Sequence, residues 1–190
     1  MACASPGYMR LARARTSALE RVFLRGEAPA AAALAGFEYR GYNVAPALAL
    51  FGIRQFIKAF FMTPGGAFYG CNTPVVQNGL TGPWTAKPSD TAPRRFAFFS
   101  VTAVDPDARD NAYLHALLLD YGRGGNPLFD PSRVLRDYVV RVVPGSDDLL
   151  LGKAYVALGP LRIAGTFFVL QRHRPLPGPV ALPAGARPGD

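Results

Sequence analysis

Residues 149–171 read LLLGKAYVAL, then Gly159-Pro160, then LRIAGTFFVLQ: two long apolar runs with a two-residue break between them. So short a break forces the runs antiparallel, because a parallel crossover needs about a dozen residues or more. The run before them, Val134 to Val143, is joined on through Pro144-Gly145-Ser146-Asp147-Asp148, and Tyr113 to Tyr121 precedes that. Four strands in succession with little but turns between them make a β-meander. A meander of this length predicts a barrel or a strongly curled sheet.

Upstream, Gly36 to Gly41 alternates aromatic with charged residues. This reads as a half-buried strand with Phe37 and Tyr39 on one face and Glu38 and Arg40 on the other. Ala67 to Cys71 and Val75 to Asn78 read as short strands, and Arg94 to Val104 as a long one. The count predicts a mainly-β fold, an eight-stranded antiparallel up-and-down barrel whose interior holds side chains or one small ligand.

Two helices are expected beside it. Ser17 and Glu20 form a capping box that opens a short amphipathic helix (Leu19, Val22, Phe23), and Gly26 ends it. Pro46 to Phe61 places Leu48, Phe51, Gln55, Phe56, Ala59 and Phe60 at helical spacing, with Arg54 and Lys58 on one exposed face. That segment predicts a helix packed on the barrel, or one that dips its phenylalanines into lipid. Residues 1–16 read as a flexible basic arm, 17–172 as one barrel domain, and the Pro/Gly-rich residues 173–190 as a disordered tail.

With 49% hydrophobic and 18% charged residues in 190, the chain can bury one core and is not a disordered polyelectrolyte. Its formal charge of +8 is nearly all arginine, lysine standing only at Lys58, Lys87 and Lys153. No zinc-finger spacing, ribonucleoprotein signature or basic zipper accompanies that charge, so no nucleic-acid partner is expected. Cys3 falls in the arm, leaving Cys71 without a structural disulfide partner and favouring a reduced, cytoplasmic setting. The N-terminus lacks the apolar region of a secretory signal, and no run approaches the ~18 apolar residues of a membrane span.

The layout resembles the calycin superfamily of lipocalin-like barrels, and within it the bacterial domains named for a Gly-x-Trp-x-Gly signature. Gly36, Tyr39 and Gly41 stand where that signature would be, and Arg172 follows the last strand as the family's ring-packing cation would. The ring is a tyrosine rather than tryptophan, one residue further from the glycine. The resemblance implies a barrel that binds a small hydrophobic molecule such as a fatty acid or other lipid. It also implies, for a minority of relatives, isomerase or cyclase activity.

Strand alternation supplies the candidate lining. One face of Tyr113 to Tyr121 carries Tyr113, His115, Leu117, Leu119 and Tyr121; the next strand offers Arg136 and Tyr138; the last two offer Lys153 with Tyr155, and Phe167. Taken with Tyr39 and Phe98, the expected ligand-binding set is Tyr39, Phe98, His115, Leu117, Leu119, Arg136, Tyr138, Tyr155 and Phe167. It is an apolar wall with a few polar groups, and Arg136 is the natural partner for a carboxylate head. The opposite faces also carry apolar residues (Leu118, Val139, Val156 and Phe168), which predicts helices packed outside, a homodimer interface, or an exchange of the inward and outward faces.

Chemistry beyond binding finds little support. A lone strand histidine such as His115 is ordinarily structural; as a general base it would need Asp137 or a tyrosine as partner, since Asp120 is on the other face. No Gly-x-Ser-x-Gly elbow or phosphate-cradling glycine loop occurs. Asp105, Asp107 and Asp110 lack the glycine and terminal glutamate of a calcium loop, so no metal or cofactor is expected. Peripheral membrane contact through the second helix and the basic arm is the remaining possibility.

Overall fold

The computed structural model describes residues 4–44 and 53–187. Eight strands close into an antiparallel barrel: β1 (Phe37–Asn43), β2 (Gln55–Met62), β3 (Phe68–Pro74), β4 (Phe96–Ala103), β5 (Leu117–Asp120), then β7 (Leu135–Val143), β8 (Ser146–Leu158) and β9 (Leu161–Pro175), which returns to pair with β1. A two-stranded ribbon of β6 (Gly124–Gly125) and β10 (Gly185–Ala186) lies beside it. Every neighbour in the barrel is also a neighbour in sequence, apart from the ribbon strand β6 and the closing pair β9–β1. The β7–β8 turn is Pro144-Gly145, where proline presets its own φ and Gly145 takes φ +73°, a value that suits glycine.

Residues paired across a ladder share a face, so the register fixes what points inward. Tyr39 pairs with Lys58, Lys58 with Asn72, Val101 with Leu119, Leu119 with Asp137, Asp137 with Ala154, and Leu150 with Leu170. These belong to one buried cluster or contact it, together with Phe56, Phe60, Phe99, Tyr121, Val139 and Phe168. A second cluster joins Leu118, Tyr138, Val140, Leu151, Phe167 and Val169 to Tyr8, Leu11, Leu19 and Phe23 of two helices, α1 (Pro6–Ala12) and α2 (Thr16–Arg25). Helices lie outside an eight-stranded barrel, so the first cluster is the interior and the second the outer face. A short helix, α3 (Ala31–Leu34), places Leu34 over one end of the interior.

Several expectations change here. Gln55–Phe61, predicted as helix, is a strand in which every residue is buried. Its inner face meets the core and its outer face meets the N-terminal helices and the C-terminal segment, so the alternation that marks a half-exposed strand is erased. Of the rest of that predicted helix, Ile53 and Arg54 are not helical, and residues 46–52 lie outside the described residues. The strand expected from Tyr113 starts only at Leu117, and His115 sits in the turn before it. Of Val75 to Asn78, only Val75 makes a bridge, to Ala86.

The stretch read as a basic arm contains α1, capped by Ser5 and anchored by fully buried Tyr8. Helix α2 has no side-chain cap at its N-cap Arg15, and Glu20 reaches Lys153 instead of its own backbone. Gly26 does end that helix, but for closeness rather than handedness: a Cβ there would overlap the Val140 side chain. In the stretch read as a tail, β9 runs on to Pro175, and Leu176, Val180, Leu182 and Ala186 cover Phe98, Tyr69 and Cys71 on the outer face.

Candidate functional site inside the barrel

Three inward positions are glycines, and each is paired or nearly paired with a phenylalanine on the next strand: Gly41 with Phe56, Gly70 with Phe99, and Gly152 with Phe168. In each case a Cβ on the glycine would overlap the ring, so the ring sits directly over the glycine's backbone. Missing side chains thus let three phenylalanines lie back against the wall, and the barrel is faced with aromatic rings. Phe60 meets Phe99 and Tyr39 edge-on nearer the end capped by Leu34.

Into this setting β2 sends Lys58. Its side chain is 2% exposed, and its Nζ lies 4.6 Å from the Phe99 ring centre, 5.2 Å from those of Tyr121 and Phe168 and 5.5 Å from that of Phe56. Nζ donates to the Tyr121 hydroxyl at 2.6 Å and to Asp137 Oδ2 at 3.2 Å, while Tyr121 donates to the same Asp137 oxygen at 2.8 Å. Asn72 Nδ2 donates to the Tyr121 oxygen at 3.3 Å. Burial pushes the Lys58 pKa down from its ordinary value, against the pull of Asp137. Burial, and then the Asp137 charge, pushes the Tyr121 phenol well up.

Two further features mark the place. Asn72 Oδ1 is buried with no hydrogen-bond partner, and such groups are uncommon in folded proteins. Opposite Asn72, β4 is bulged, and Ala97 there adopts φ +47°, a left-handed conformation that costs a non-glycine residue about 1 kcal/mol or more. Asn126 holds the bulge in place by pairing with both the N–H and the carbonyl of Phe98.

Of the residues the sequence nominated, Tyr39, Leu117 and Leu119 lie in this interior cluster. The others sit on the outer face. Phe98 packs with Tyr69 and Cys71 beneath the C-terminal segment, whose cover and whose burial raise the Cys71 thiol to about 12. Tyr138, Tyr155 and Phe167 pack beneath α2 with Lys153, whose Nζ donates to both Glu20 oxygens at 2.7 and 2.8 Å and to Tyr113 at 2.7 Å. His115 Nε2 stands 3.2 Å from the Phe23 carbonyl of the same helix. Arg136 borders an outer groove of about 660 Å³, and its guanidinium is engaged by Asp110 at 2.8 Å and Asp120 at 3.0 Å. The faces of β7, β8 and β9 are reversed relative to the sequence reading, because Leu117 pairs with Val139 and not with its neighbours.

Sequence reasoning also missed Lys58, Tyr121, Asp137 and Asn72 as a group. The available signal was Lys58 itself, a lysine inside the run QFIKAFFM. A solvent-facing helix was the simpler reading of that charge.

The likeness at the barrel's end does appear: the Arg172 guanidinium lies 4.1 Å from the Phe37 ring centre and 5.5 Å from that of Tyr39. The closed eight-stranded antiparallel architecture is consistent with a calycin-type fold. Family models, curated proteins and solved structures give no match to this chain. Among the described residues, no helix is long and apolar enough to cross a membrane, and no group of three or more potential metal ligands occurs.

Proposed function

We propose that this chain binds or carries a small hydrophobic molecule, lipid- or fatty-acid-like, within the barrel. The observation that carries this reading is the Lys58–Tyr121–Asp137–Asn72 cluster, set among aromatic rings with one acceptor left open. Sites for small molecules combine an apolar wall with a few converging polar groups, and the side chains facing the barrel interior supply both, which suits a hydrocarbon ligand with one oxygen-bearing head. Lys58 and Asn72 together offer a donor and an acceptor to that head. Membership of the calycin superfamily and a cytoplasmic location accompany the reading, the first supported by Arg172 over the Phe37 and Tyr39 rings.

Native mass spectrometry of the purified full chain tests the proposal, together with titration of a fluorescent fatty-acid probe. A retained apolar molecule, or saturable probe binding weakened by Asn72→Ala, is expected. A chain that carries nothing and leaves the probe free would end this reading.

A further inference from the structure

Buried ion pairs are costly, and those that persist normally satisfy each participating atom. In the interior cluster the unmet atom is Asn72 Oδ1, beside the Lys58–Asp137 pair. Its lysine is the one nucleophilic amine fully enclosed among the described residues, and Asn72, its ladder neighbour, keeps an unused acceptor. The adjoining backbone is held in a strained bulge, a feature that concentrates at functional sites.

We propose that Lys58 condenses with the carbonyl group of an aldehyde or ketone ligand to form an imine inside the barrel. The inference rests on the reading of the barrel as a container for a small apolar molecule, and names the chemical class of that molecule. The Nζ lone pair adds to the carbonyl carbon, forming the C–N bond as the C=O π bond breaks, and the oxygen takes up the proton that the nitrogen gives up. The resulting carbinolamine loses its hydroxyl, with one proton, as water. Amine and carbonyl thus become imine plus one water, with no oxidant or reductant involved.

Each neighbour of Lys58 suits a step. Tyr121 lies 2.6 Å from Nζ and 2.8 Å from Asp137, so it can pass protons between the nitrogen and the carboxylate. Asn72 Oδ1 can accept from the carbinolamine hydroxyl. A protonated imine keeps a positive charge where the ammonium stood, so the same carboxylate and the same ring faces stabilise it. Burial of the amine, which favours its neutral and nucleophilic form, works in the same direction.

The lysine inventory makes the test clean. Besides Lys58 there are Lys87, which is exposed, and Lys153, which is tied to Glu20 and Tyr113 on the outer face. The full chain is incubated with a conjugated medium-chain enal and then with borohydride, and a parallel sample receives the matching alcohol. The expected result is a mass gain equal to the aldehyde less one oxygen, mapped to the peptide containing Lys58. Lys58→Arg keeps a cation beside Asp137 but cannot condense, and it is expected to lose the adduct. If the alcohol binds and no adduct forms on Lys58, or the adduct maps only to Lys87, Lys153 or the α-amine, the imine is overturned and the container reading stands. If neither molecule binds, both are overturned.

Discussion

Two lysines stand on opposite sides of one barrel wall in nearly the same company. Lys58 inside meets Asp137, the Tyr121 hydroxyl and the rings of Phe56, Phe99, Phe168 and Tyr121. Lys153 outside meets Glu20, the Tyr113 hydroxyl and the rings of Phe23, Tyr113, Tyr155 and Phe167. Their pKa values nevertheless move in opposite directions. For Lys58 burial dominates and lowers it; for Lys153 burial acts the same way but the bonds to Glu20, Tyr113 and Tyr155 outweigh it. The difference lies in desolvation and geometry. Asp137 is 6% exposed and offers one oxygen at 3.2 Å, whereas Glu20 is 35% exposed and offers both at 2.8 Å or less. Similar partners make one charge cheap and the other expensive.

The sharpest way to break this contrast is to remove each carboxylate. Asp137→Ala leaves a buried cation without its counter-charge, a change that costs about 3–5 kcal/mol, read as a lower urea midpoint. Replacing both members, Lys58→Met with Asp137→Leu, recovers that loss, because an apolar pair of similar volume is neutral or stabilising by about 1–4 kcal/mol. An Asp137→Ala variant as stable as the parent would mean that the interior pair is solvated.

Next in size is the wall that surrounds the inner lysine. Gly152→Ala drives a methyl group into the Phe168 ring, and overpacking of this kind costs about 1–3 kcal/mol. Gly178→Ala, where a Cβ meets nothing within 4 Å, is the matched control and should leave the melting temperature unchanged. On the outer side, Glu20→Ala should cost about 1 kcal/mol or less, the ordinary scale for a partly exposed pair, and less still in high salt.

A pH-dependent effect shows burial acting together with neighbouring cations rather than against a carboxylate in contact. His173 accepts from Arg40 at 3.0 Å and is held down at about 4 from its ordinary 6.5 by burial, then by the Arg40 and Arg174 charges. A depressed folded-state value means the unfolded chain binds the extra proton between those two points, so stability is complete above the upper one. It drains away as the pH falls from 6.5 towards 4. His173→Gln should flatten that part of the pH–stability curve relative to the parent chain. Superimposable curves would show that His173 titrates normally.

How much of this was legible in the sequence depends on whether an element shows one face to water. The hairpins at Pro144-Gly145 and Gly159-Pro160 announce themselves through turn residues, so the meander and the strand count could be read directly. Arg172 could also be placed, because its position after the last apolar run fixes which rings it crosses. The period of β2 could not be read, since it is buried on both sides. The same double burial hid which way β7, β8 and β9 face: Leu150 and Leu151, or Phe167 and Phe168, are equally apolar, and only the register with β5 tells them apart. The interior cluster was illegible for a further reason. Its four side chains come from β2, β3, β7 and the residue just after β5, and only closure of the barrel brings them together.

The C-terminal segment over Cys71 gives the molecule a built-in clock. Cys71 is the single thiol among the described residues, Cys3 lying outside them, and burial beneath Leu176, Val180 and Leu182 shields it from alkylating reagents for as long as they stay seated. The rate at which it reacts therefore times the peeling of that strap from the barrel, without any probe having to be engineered in.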